Sequence, residues 1–225
     1  MRQAVKIVLI VLAANVVTLT KMAGTAHCRA FACMKEINEI IDIGRKLDEL
    51  TCEVYSHFAK RDDFDPKLVA MWAEMAEWKK GHAKHWKKIS KTFVYRNILR
   101  RKPTELTSLI KQLKNIQAEL VEFLRRLRKK KISQSEAVSQ TVLNEFCLIS
   151  DIFLEIFYSY SRTLADPSVD MVTECRTRLS DMIATLQPYL RLNPLFSALK
   201  KSMGDIEHAH DFLVLNFGKK RKAAG

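Results

Sequence analysis

The chain is poor in helix breakers, with 6 glycines and 5 prolines in 225 residues. Apolar periodicity therefore runs for long stretches without interruption, the pattern of an all-α protein. The cysteines are few and poorly spaced for the usual chemistries. Cys28, Cys33, Cys52, Cys147 and Cys175 make no Cys-x-x-Cys pair and no zinc-ribbon spacing, so small buried thiols in a reducing compartment fit better than a disulfide framework.

The N-terminal apolar run falls short of the ~20 residues a membrane span needs. It extends from Ile7 to Leu19, broken by Asn15 and Thr18, after Arg2 and Lys6 and before the small residues Gly24 and Ala26. That is the layout of a secretory signal or anchor. A second reading starts the protein at Met34, where Met34-Lys-Glu-Ile leads directly into an amphipathic pattern, and treats residues 1–33 as an extension. The first reading implies export or membrane anchoring, the second the cytoplasm. Acidic residues are also scarce, 25 against 38 Lys and Arg, leaving a net charge of +13. Such a balance attracts nucleic acid, anionic membrane or acidic partners without choosing among them.

What is present is a succession of helical patterns. The first, about Glu36 to Lys60, carries the stripe Ile37, Ile41, Gly44, Asp48, Thr51, Tyr55 and Phe58, spaced as a buried face. Asp48 is out of place on a plain core stripe. The sequence 61–66 ends this helix, and Pro66 suits the first position of the next. The second, about Pro66 to Lys91, lines up Leu68, Met71, Trp72, Met75, Lys79, His82, Trp86 and Ile89, again with charge on the apolar side. A third pattern from Leu106 to Leu127 reads as a crossover helix ending in the basic run 125–131. Ser133 and Glu136 are spaced as a capping box and open a helix to about Arg162 that is apolar nearly all round. A short helix, about Val169 to Leu186, follows. The last, about Pro194 to Phe217, carries Met203, Glu207 and His210 on its stripe and leads into a basic tail, 218–225.

Two octets in these helices match. Met75 to His82, MAEWKKGH, aligns with Met203 to His210, MGDIEHAH. The second contains Glu207-x-x-His210, a carboxylate and an imidazole one turn apart on one helix face, which suits a shared metal. In the first the matching place holds Lys79, which cannot ligate while charged.

Asp48 seven residues before Tyr55, Ala76-x-x-Lys79-x-x-His82, and Gly204-x-x-Glu207-x-x-His210 together resemble the rubrerythrin branch of the ferritin-like proteins over roughly residues 34–217. The resemblance implies a four-helix bundle of two helical hairpins, here with a crossover helix and a short extra helix. It implies iron, or manganese, and oxygen or peroxide chemistry. Carried over residue by residue, it makes Asp48, His82, Glu207 and His210 ligand positions. The acid of the third bundle helix is open: Asp151 is the first choice, seven residues before Tyr158, with Glu145 and Glu155 as alternatives.

The chain departs from that family at Lys79, where a Glu is expected, at the shorter Asp48, and in lacking a rubredoxin-like module. An ammonium at Lys79 would fill the space of one cation and pair with Asp48 and Glu207. This converts the site to one metal, or to a metal-free ion-paired core. Alternatively Lys79 lies at the stripe edge and snorkels to water. The rival functional class is thus a scaffold or interaction protein with a decayed site. A homodimer is expected. The basic segments 125–131 and 219–222 would serve an acidic partner or anionic surface. They lack the interleaved aromatics that stack on bases, so sequence-specific nucleic-acid reading is not expected.

Overall fold

The computed structural model describes residues 26–92, 103–129, 132–148, 171–190 and 196–201, together with Phe153, Ile156, Phe157 and Gly204. Among the described residues the regular structure is helical throughout, with no strand. Five α-helices can be followed: α1 (Ala26–Phe58), α2 (Pro66–Thr92), α3 (Pro103–Lys129), α4 (Gln134–Leu148) and α5 (Met171–Leu186), the last followed by a 3-10 turn at Gln187–Tyr189. The expected all-α class is therefore observed, and the five helix positions agree with the sequence periodicities.

Helix α1 begins ten residues earlier than the amphipathic pattern requires. No glycine or proline lies between Gly24 and Gly44, so nothing local stops the helix. It runs through the 33/34 boundary. The apolar run of residues 7–19 and the tail 218–225 lie outside the described residues. No described helix is long and apolar enough to cross a membrane.

The α1–α2 hairpin is antiparallel, since Gly44 and Asp48 of α1 meet Trp86 of α2. Gly44 is required there: a Cβ on it would come within 2.7 Å of the Trp86 ring, and its absence lets the indole lie flat on α1. The crossover helix α3 then runs parallel to α1. Lys114 pairs with Glu39 at 2.6 Å, Arg128 pairs with Glu53, and Phe123 stacks edge-on against Phe58.

Helix α4 starts beside the α1–α2 turn and runs parallel to α2. Gln134 Oε1 accepts from the Asp65 amide at 2.6 Å, and Trp72 Nε1 donates to Thr141 Oγ1 at 2.8 Å. One half of the expected capping box is seen, with the Glu136 amide donating to Ser133 Oγ at 3.2 Å, while the Glu136 carboxylate faces Arg126. Helix α5 returns antiparallel to α2, from Cys175 near His82 to Tyr189, whose hydroxyl donates to Asp65 Oδ2 at 2.6 Å. Asp65 also accepts from the Lys67 amide at 2.8 Å. This one side chain caps α2 and ties the end of α5 to it.

One continuous hydrophobic core fills the space between these helices, built from Ile37, Ile41, Leu47, Phe58, Leu68, Trp72, Trp86, Val138, Val142, Met182 and Leu186 among others. Phe153 and Phe157 close it over Trp86, with ring centroids at 5.3 and 4.7 Å.

Candidate functional site

Into this core the helices insert four charged side chains. Asp48 of α1, Lys79 and His82 of α2 and Glu145 of α4 are 3%, 2%, 6% and 1% exposed. Burial at this level is unfavourable for each charge alone, and they persist because they meet one another. Periodicity explains the first three. Each falls on its helix's apolar stripe, so the face that packs inward carries the charge with it.

Lys79 is the hub. Its Nζ donates to Glu145 Oε2 at 2.9 Å and lies 3.4 Å from Asp48 Oδ1. The Trp78 ring covers the same ammonium at 4.4 Å, a cation–π contact in a desolvated setting. The other oxygen of Glu145 accepts from the Tyr55 hydroxyl at 2.6 Å. The other oxygen of Asp48 accepts twice, from Trp86 Nε1 at 2.6 Å and from His82 Nδ1 at 2.7 Å. His82 Nε2 then faces Cys175 Sγ of α5 at 3.6 Å. The imidazole is boxed by Trp78 and Phe157, with centroids at 5.3 and 4.6 Å.

The electrostatics follow from these contacts. Burial works against the charge on His82, but the Asp48 carboxylate beside it prevails, and the imidazole pKa rises to about 10. Burial likewise opposes the charge on Lys79, and Glu145 and Asp48 outweigh it, so its pKa moves up. Burial would raise Asp48, but His82 and Lys79 hold it below the ordinary carboxylate value. Burial, reinforced by the Glu145 carboxylate, pushes Tyr55 well above an ordinary phenol. At neutral pH the Lys79 ammonium and the His82 imidazolium thus face the Asp48 carboxylate.

The expected site residues are distributed as follows. Asp48, Lys79 and His82 come together. Of the three acids offered for the third bundle helix, Glu145 joins them; Asp151 and Glu155 lie outside the described residues, as do Glu207 and His210. Lys79 pairs with Asp48 as expected, and its described second partner is Glu145. It does not snorkel to water. Cys175 has no counterpart in the sequence expectations for the site. The signal for it was the stripe Met171, Cys175, Leu179, Met182 and Leu186, all buried, which turns that thiol inward. Trp86 was legible as core, but not as a donor to Asp48.

This donor set does not fit the metal pair that the resemblance implies. An ammonium stands between the two carboxylates. Every oxygen of Asp48 and Glu145 accepts or faces a donor, and a protonated His82 has no lone pair to offer. Among the described residues, no group of three or more His, Cys, Asp and Glu side chains is placed to hold a metal ion.

Fold and site together define an all-α helical bundle with a buried, mutually neutralising ion-pair network. Comparison with known proteins returned no match, whether to family models, curated proteins or solved structures.

Proposed function

We propose that this protein is a ferritin-like bundle in which Lys79 takes the place of a metal pair, and that it acts as a metal-free scaffold or binding module through its surface. The observation that carries this is the position of Lys79 Nζ, within 2.9 Å of Glu145 and 3.4 Å of Asp48. An ammonium there supplies the compensating charge that a cation supplies in a carboxylate-bridged bundle. The helix order supports the ferritin-like plan: an antiparallel hairpin, a helix running the length of the bundle, then a second ascending helix parallel to α2. The descending partner in the described part is α5, which brings Cys175 rather than a carboxylate to His82.

The test is a melting curve with and without metal. Iron(II), manganese(II) or a chelator should leave the melting temperature of the full chain unchanged. A metal bound at a hundred times its Kd would raise it by on the order of 5–10 °C. Such a rise, or peroxide-dependent oxidation of a dye substrate by the iron-treated protein, would restore the metal-binding reading with Asp48, His82, Glu207 and His210 as ligands.

A further inference from the structure

The basic run 125–131 is less available than its sequence suggests. Arg125 is bound by Glu122 at 2.6 Å, Arg126 by Glu136 at 3.5 Å, and Arg128 by Glu53. Much of its charge is spent on pairs within the bundle. A second concentration of positive charge lies on α2 and beyond it. From Trp78 to Thr104 the chain has ten Lys and Arg and no Asp or Glu. On α2 this stretch forms a built face. Lys80, Lys84, Lys87 and Lys88 are all exposed and fall within an arc of roughly 100° over about 12 Å of helix. The opposite side of the same turns carries Lys79, His82, Trp86 and Ile89 into the core. Lys80 pairs with both oxygens of Glu77, at 3.4 and 3.5 Å, but no carboxylate of a described residue forms an ion pair with Lys84 or Lys87.

We infer that this lysine face of α2 docks the protein on an anionic lipid surface. Charge complementarity gives the sign of the partner. Two observations favour lipid over a nucleic-acid backbone. The basic groups of the face are all ammoniums, with no exposed aromatic to stack on a base and no arginine fork. Because the hairpin is antiparallel, the C-terminal end of α2 lies at the end from which α1 arrives, and α1 follows the apolar sequence 7–19. A short apolar run gives weak anchoring alone, and a polybasic face is the second signal that makes it stable. The inference rests on reading the bundle as a binding module, but its test does not involve metal, so either can fail alone.

The full chain is sedimented with phosphatidylcholine vesicles and with vesicles containing 30% phosphatidylglycerol, a composition chosen to give a strongly negative surface. Partitioning should rise on the anionic vesicles and lose that gain in 0.5 M salt. The variant Lys84→Gln/Lys87→Gln, checked for native helicity, should bind anionic vesicles roughly 25-fold more weakly, from about fivefold per lysine. Its partitioning on neutral vesicles, which reports the apolar contribution, should not change. The variant Arg125→Gln/Arg126→Gln/Arg128→Gln should stay within about twofold of the parent. The inference is overturned if anionic lipid gives no gain, or if the lysine variant keeps it. It is also overturned if a short DNA duplex binds more tightly than the anionic vesicles and displaces the protein from them.

Discussion

A lysine in a hydrophobic bundle is tolerable only while its partners are present, so the residues around Lys79 should behave as a unit. Lys79→Met keeps most of the volume but leaves Asp48 and Glu145 without a shared cation. It should lose about 3–5 kcal/mol in urea unfolding. Adding Glu145→Gln removes one of the stranded charges and should recover part of that loss, a coupling of about 0.5–3 kcal/mol. Additive losses would mean that the two groups do not share an ion pair. His82 gives the same network a pH signature. Its pKa is raised on folding, from 6.5 to about 10, so its contribution is complete below pH 6.5 and fades as pH rises towards 10. The melting temperature should therefore fall across that window in the parent, and fall less steeply in His82→Gln. Gly44 is the third test at this scale. The Cβ of Gly44→Ala would sit 2.7 Å from the Trp86 ring and push away the indole that donates to Asp48. A loss of about 1–3 kcal/mol is expected, read from the same denaturation curves.

At the scale of helices, register decides which groups meet. Helix periodicity alone turns Asp48, Lys79 and His82 inward, which is why those three were legible in the sequence. The acid of α4 was not. That helix is apolar on most sides, so Glu145, Asp151 or Glu155 could each be rotated towards the site with little change in hydrophobic pattern. What brings Glu145 to Lys79 is the alignment of α4 on α2, set by Gln134 at Asp65 and Thr141 at Trp72. Both contacts join residues far apart in sequence, and no local pattern encodes them. The same holds for Cys175: its inward stripe was readable, but its meeting with His82 depends on α5 running back along α2. Asp65 anchors two of these alignments at once. Asp65→Ala should lower the melting temperature by about 3 °C through loss of the α2 cap, and by more if the Tyr189 hydroxyl also loses its acceptor. Tyr189→Phe alone separates the two contributions.

Taken whole, the molecule divides its charge between a closed interior and an open face. Inside, Lys79 and His82 face Asp48 and Glu145; outside, the arginines of 125–128 pair with neighbouring glutamates, and α2 carries a row of exposed lysines. The composition gave the sign of the surplus but not its place, because two of the acids that pair with the α3 arginines come from α1 and α4. The claim on which the rest depends is that Lys79 stands where a metal would. The direct measurement is metal content per chain, by mass spectrometry of the full protein after anaerobic loading with iron(II) and desalting, for the parent and for Lys79→Glu. The parent should carry no stoichiometric metal, and Lys79→Glu, with a carboxylate restored beside Asp48, His82 and Glu145, should retain at least one equivalent. One or two equivalents of iron in the parent would contradict it.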